Sequence, residues 1–369
     1  MKNKKLYLQK FLDRIFLAPI IFLLFFYKKT LSEKPLKKVK KIAIFKLDAI
    51  GDAVLSLPMI KNIKNRDNEI IVICSKENSA IFLDQEFISK VYSINTKNPL
   101  FSIIPLIKNL RMENIDLSID TAQSSNISAI ISFLVSKKTS GFFIKRRLRN
   151  KIYDFTTKIN EKKHMVCNYI DLACPLNINI KKNDLVKIKY SNANLKKVKK
   201  IVSKNYIGIH PCTLMEYKSW PLKKWAQLID KFLSSAERVV IVGSPSEKAL
   251  VKDLLMLLKD KSQVINLTGE LNLKELAATM TLFKLFIAND GGSMHISAAM
   301  GTKTLGLFGP ETPIKYAPFN KKSKSIYHPE KCSPCIKEKN YLKCSFCNSL
   351  DNISVDEVFL VSKKMLEKL

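Results

Sequence analysis

The sequence predicts an α/β protein of two doubly wound, Rossmann-like domains, each a parallel sheet with helices on both faces. Three observations carry this. From Lys41 onward, short β-branched runs alternate with amphipathic stretches, and most of the runs in the second half stop at Gly, Pro or Asp. A polar, Lys-rich stretch from about Lys181 to Lys204 interrupts the alternation and separates two similar series. The length of 369 residues exceeds one usual domain and suits two, each large enough to bury its own core.

Composition narrows the class further. Hydrophobic residues make up 46% and charged residues 26%, which excludes a disordered or fibrous chain. The formal net charge is +31, nearly all of it from Lys spread end to end. Such an excess reads either as a solvated basic surface or as a surface that meets anionic lipid. Nucleic acid is a third reading, unsupported by any zinc-finger, homeodomain or RNP signature. Eight Cys, half of them scattered, do not resemble a secreted disulfide framework, so a reducing cytoplasm is expected.

Residues 1–40 stand apart as a basic and apolar segment. Their apolar run, Ile15 to Tyr27, lies between basic flanks and falls short of the roughly 20 residues that span a bilayer. Tyr27-Lys28-Lys29 follows where a signal peptide would offer small residues for cleavage. The segment is therefore expected to lie on the inner face of the membrane, its cations meeting anionic headgroups. A helix packed onto the body is the alternative.

The first domain is expected over 41–190. IAIFK is its opening strand, a helix runs to about Asn65, EIIVICS is the next strand, and a further helix starts near Ser79. A strand at Ile115–Asp120, a helix from about Ser125 to Val135 and the basic loop GFFIKRRLRNKIYDF follow. The second domain is expected over 191–350, with strands in YIGIHP, RVVIVGSP, QVINLTG, LFIANDGG and KTLGLFGP and helices in LKKWAQLIDKFL and LKELAATM. Residues 351–369 read as a terminal helix.

The strand LFIAND runs into Gly291-Gly292 and then a helix, so unpaired N–H groups at the helix start offer an anion site. Two glycines allow close approach and positive φ, Ser293 is a candidate cap, and His295 in the first turn is a candidate phosphate donor. An ordinary strand–helix turn with a capping Ser is the competing reading. Farther on, Cys332, Cys335, Cys344 and Cys347 form two C-x-x-C pairs, a spacing that suits one structural zinc, with free thiols as the alternative.

The string ANDGGSMHISAAMGTKTLGLFGP resembles the signature of glycosyltransferase family 9, the ADP-heptose:lipopolysaccharide heptosyltransferases. Gly291 stands where that family usually has Thr or Ser. The family's other blocks occur in order from Lys41 onward. The resemblance implies a GT-B architecture, two such domains facing each other across a cleft, and an inverting sugar transfer that requires no metal. FKLDAIGDAVLSLPMI resembles the opening strand–loop–helix, which gives Asp52 the role of catalytic base and puts Gly51 beside the acceptor; Asp48 is a nearby alternative carboxylate, and an N-cap is the plain reading of Asp52. SIDTAQSS points to Asp120 and Gln123 as acceptor contacts. The Arg residues of the basic loop, Arg146, Arg147 and Arg149, suit a phosphorylated or carboxylated acceptor, or else a solvated loop.

On the donor side, Lys218 before Trp-Pro is the implied phosphate cation, with Thr213 beside it. Gly243 and Ser244 end a strand, Glu247 is the implied ribose clamp, and Gly269 and Leu271 belong to the segment around the base. Asp290, Gly291, Gly292, Ser293 and His295 would hold the diphosphate. The implied partners are ADP-heptose or another nucleotide sugar, a lipid-linked or core oligosaccharide, and the membrane surface. An oxidoreductase is the nearest enzyme rival, but no strand precedes G-x-G-x-x-G. A non-catalytic basic protein binding membrane or nucleic acid is the rival from another class.

Overall fold

The computed structural model describes residues 16–30, 38–47, 49–95, 99–123, 125–178, 185–213, 216–335 and 348–367. The chain forms two compact units, residues 1–183 and 184–369, which divide within the polar Lys-rich stretch.

The first unit holds strands β1 (Lys41–Lys46), β2 (Glu69–Ser75), β3 (Lys90–Ile94), β4 (Ile115–Asp120), β5 (Ser136–Phe143) and β6 (Phe155–Lys158), in spatial order β3-β2-β1-β4-β5-β6. Every neighbouring pair is parallel. Central β1 and β2 are buried almost throughout, as a strand covered on both faces must be, and their β-branched runs follow from that. Ala43, Phe45, Ile71 and Ile73 pack with Leu110 and Ile131 into one core of this unit.

The second unit repeats the plan with β7 (Tyr206–His210), β8 (Val239–Gly243), β9 (Val264–Thr268), β10 (Phe283–Asn289), β11 (Thr304–Phe308) and β12 (Lys324–Tyr327). Its order is β12-β11-β10-β7-β8-β9, again all parallel. The helix Leu222–Ser234 buries Trp225, Leu228, Ile229 and Phe232 into the core, and the terminal helix Val355–Glu367 adds Val358 and Met365 to the same cluster. In both sheets strand order reverses once, between β1 and β4 and between β7 and β10. Open parallel sheets bind ligands at the carboxyl ends of the strands beside such a reversal.

Four strands escape the sequence pattern: β3, β5, β6 and β12. The outermost, β3, β6 and β12, are short and partly exposed, so they carry too few apolar residues to stand out. β5 takes in Gly141–Phe143, the start of the expected basic loop. The helices Pro99–Met112 and Asn192–Lys199 also lay outside the sequence expectation, the latter inside the polar stretch.

The apolar run near the N-terminus is a helix, Ala18–Thr30. Ile21 is buried with Ala129, Ile130, Ile152 and Tyr153, and Leu24 and Phe25 pack against them. Among the described residues no helix is long and apolar enough to cross a membrane.

Candidate functional site

The second sheet gathers the expected donor residues in a line along its carboxyl edge. Strand β10 ends at Asn289, whose amide accepts from Trp220 N (3.0 Å) and donates to Pro211 O (2.9 Å). One buried side chain thus fixes the loops after β7 and before the helix Leu222–Ser234. Lys218, two residues from the first clamp point, reaches Asp290 with Nζ–Oδ2 of 2.7 Å. Burial alone would lower its pKa, but the carboxylates of Asp290 and Glu311 outweigh that and raise it. A partly buried ammonium held charged is suited to an anionic ligand.

The helix after β10 is Gly292–Ala299, with Gly291 at its N-cap. Gly291 has φ −172°, an extended conformation open to any residue, so the expected positive φ is not used here. A Cβ at this position would meet only Asn289 O, at 3.8 Å. Ser293 is not the cap either. It sits inside the first turn and its Oγ lies 2.7 Å from His210 Nδ1. His295 is only 3% exposed, buried under the turn rather than presented at it.

His210, the last residue of β7, joins the two halves of the line. Its Nε2 is 3.3 Å from Glu247 Oε2, which also accepts from Ser244 N at 2.5 Å in a capping box. Burial pushes the Glu247 carboxyl up, but the His210 contact and the Ser244 N–H hold it down to about 2. Gly269 N donates to Gly243 O (2.8 Å). Gly269 has φ +78°, and a Cβ there would come within 3.0 Å of the Pro245 backbone, so this turn requires glycine. Leu271 follows, partly buried. Thr213 Oγ1 lies 3.0 Å from Ser219 Oγ, beside Lys218. Nearby Cys212 is no nucleophile, because burial pushes its thiol up to about 12.

In the first unit, Asp52 lies in the first turn of the helix Ile50–Ile63, whose N-cap is Ala49. The capping role is therefore not what engages its carboxylate. Oδ1 accepts from Tyr169 Oη at 2.8 Å, and Tyr169 Oη accepts from Lys46 Nζ at 3.4 Å. Tyr169 and Lys46 are almost fully buried, while Asp52 keeps part of its surface open. Gly51 is buried within the same turn. Asp48 lies outside the described residues.

Two expected acceptor contacts are placed differently. Asp120 and Arg149 are both fully buried and paired to each other, Nη2–Oδ2 2.8 Å. Tyr153 Oη and Ser128 Oγ donate to the same Asp120 oxygen at 2.6 and 2.8 Å. Removing either charge from such a set leaves the other buried and unbalanced, so these residues hold the end of β4 to the connection between β5 and β6 rather than meeting a solute. Gln123 and Arg147 remain partly accessible and Arg146 is exposed. Cys332 and Cys335 Sγ are 3.7 Å apart; Cys344 and Cys347 lie outside the described residues. Among the described residues there is no group of three or more potential metal ligands.

Sequence reasoning named most of this line but missed His210, Glu311, Lys46 and Tyr169. The first three sit at or just beyond the ends of β7, β11 and β1, where position in the sheet was the available signal. Nothing in the sequence marked Tyr169.

The family model described as glycosyltransferase family 9 (heptosyltransferase) matches residues 103–345. The chain is 27% identical over 325 residues to lipooligosaccharide heptosyltransferase 2 of Campylobacter jejuni subsp. jejuni serotype O:6, covering 86% of this chain and 96% of that protein. It is 25% identical over 293 residues to lipopolysaccharide heptosyltransferase 3 of Escherichia coli, covering 73% and 84%. Its fold matches the solved structure of E. coli ADP-heptose lps heptosyltransferase II with a TM-score of 0.73 at 18% identity, over 88% of this chain and 98% of that one. That likeness extends to the pair of parallel six-stranded sheets of GT-B type.

Proposed function

The chain belongs to glycosyltransferase family 9 and is a glycosyltransferase; from that premise we propose that it moves heptose from ADP-heptose onto a lipopolysaccharide-core or related cell-surface glycan, with inversion. The observation that supports this best is the set of side chains at the carboxyl edge of the second sheet, in which Lys218 pairs with Asp290 and His210 links Ser293 to Glu247. Its cation and helix start suit a diphosphate, and its fixed carboxylate suits ribose hydroxyls.

In the proposed reaction Asp52 takes the proton of an acceptor hydroxyl. That oxygen bonds to the anomeric carbon on the face opposite the leaving group, and the bond to the diphosphate breaks. ADP departs with its new charge met by Lys218 and the N–H groups of the turn at Gly291-Gly292, which makes a catalytic metal unnecessary. Base and donor residues thus belong to different units. The expected acceptor is lipid-linked, which makes the inner face of the membrane the expected place of work.

Incubation of the protein with ADP-heptose and a core-oligosaccharide acceptor should release ADP in step with glycan product. Release only with another nucleotide sugar would move the donor assignment within the family, and release with none would end the enzymatic reading.

We further infer a structural zinc at the two C-x-x-C pairs. The 3.7 Å Sγ separation of Cys332 and Cys335 is the edge of a thiolate tetrahedron with Zn–S of about 2.3 Å. Elemental analysis should find one zinc per chain, lost in Cys332→Ser; a metal-free wild type would reject the site.

A further inference from the structure

The helix Ala18–Thr30 is apolar on all sides, and its packing accounts for only one of them. Ile21, Leu24 and Phe25 face the body. Away from that contact, Phe22 is 49% exposed, Leu23 68%, Phe26 50% and Tyr27 56%. Positions 22 and 26, and 23 and 27, are successive i, i+4 neighbours, so the exposed surface is a continuous stripe. A helix that is apolar all round calls for apolar cover on each side. It is too short to cross a bilayer, so the cover runs along it.

The helix is locked to a basic loop. Lys28 Nζ donates to the carbonyls of Ile152 (3.3 Å) and Tyr153 (2.6 Å) and pairs with Asp154 at 3.5 Å. Those residues close the connection from β5 to β6. The same connection exposes Lys145, Arg146, Leu148 and Lys151, and Lys151 Nζ lies 5.0 Å from the ring centre of Phe25. The connection's acidic residue, Asp154, is taken up by Lys28 and Lys138. The rim of the stripe is therefore a cationic edge whose acid is already neutralised.

We propose that this stripe and the Lys145–Lys151 loop form one docking surface for an anionic lipid bilayer. The stripe seats at the boundary between headgroups and acyl chains, and the loop cations meet the headgroup phosphates. A second copy of the chain would set the same cations against each other, whereas anionic lipid supplies the opposite charge. The inference rests on the membrane-surface reading of the proposed function and deepens it to a defined face of the first unit.

The test uses full-length protein with vesicles of phosphatidylcholine alone or mixed with phosphatidylglycerol. Wild type should bind the mixed vesicles at least tenfold more tightly. Phe22→Ser/Leu23→Ser should weaken that binding at least tenfold with unchanged circular dichroism, and Lys145→Glu/Lys151→Glu should abolish the preference for anionic lipid. Wild type that ignores both vesicles, variants that bind as wild type does, or a dimer in light scattering that the serine variant dissolves would overturn the proposal. Turnover of a water-soluble, delipidated acceptor is measured in parallel. Turnover without vesicle binding removes the docking surface and leaves the enzyme; vesicle binding without any turnover supports the surface and removes the proposed reaction.

Discussion

The two sheets share one strand order, yet the places where that order reverses carry opposite chemistry. Beyond β1, a buried Lys46 and a buried Tyr169 back the Asp52 carboxylate, which keeps an open side. Beyond β7 and β10, the carboxylates are the backing: Asp290 and Glu311 hold Lys218 charged, and Glu247 is tied to Ser244 and His210. On the proposed reading, one reversal serves as proton acceptor and the other as anion receptor. Topology would then set where ligands meet the protein, and the side chains at the strand ends what each place can do.

On that division of work, the largest effect comes from Asp52. Asp52→Asn should lower kcat by about a thousandfold, within the range for a general base, while the dissociation constant for ADP stays within about twofold of wild type. Loss of nucleotide affinity alongside turnover would show that the two reversals do not divide the work. A smaller effect is expected one contact away. Tyr169→Phe removes the hydrogen bond to Asp52 Oδ1 but preserves the ring, so kcat should drop about tenfold, or about 1.4 kcal/mol. KM for the donor should stay put. A rise in donor KM with unchanged kcat would remove Tyr169 from its positioning role.

The smallest effect concerns stability. Glu247 titrates at about 2 in the fold against an ordinary 4.5, so its stabilisation is complete above about 4.5 and is lost as pH falls toward 2. Both Trp residues, Trp220 and Trp225, lie in the second unit, and their fluorescence reads that unit alone. Denaturation midpoints followed by Trp fluorescence should fall less steeply over this window in Glu247→Gln than in wild type. In the first unit Glu113 is held near 2 chiefly by its hydrogen bond from Lys90, so a probe placed there should show no change in the same variant.

Much of this was legible because it is local. The runs IAIFK and EIIVICS announce central strands through burial on both faces, and Lys218 stands out through its Trp-Pro neighbours. What stayed hidden depends on residues that meet from far apart in the chain. His210 matters through Ser293, 83 residues on, and Tyr169 through Asp52, 117 residues back. The sequence points to Asp120 and Arg149 as acceptor contacts, and only the fold reveals that they satisfy each other in the interior. Edge strands such as β6 were missed because exposure relaxes the demand for apolar residues that makes a central strand visible.

Gly291 stands where the family usually carries a hydroxyl residue. Its extended backbone and the vacant space around a Cβ mean that neither conformation nor packing demanded the glycine. A serine or threonine there would need no repair of the fold. On the proposed reading, a side chain could therefore be added beside the diphosphate while the clamp made by Asn289 stays as it is.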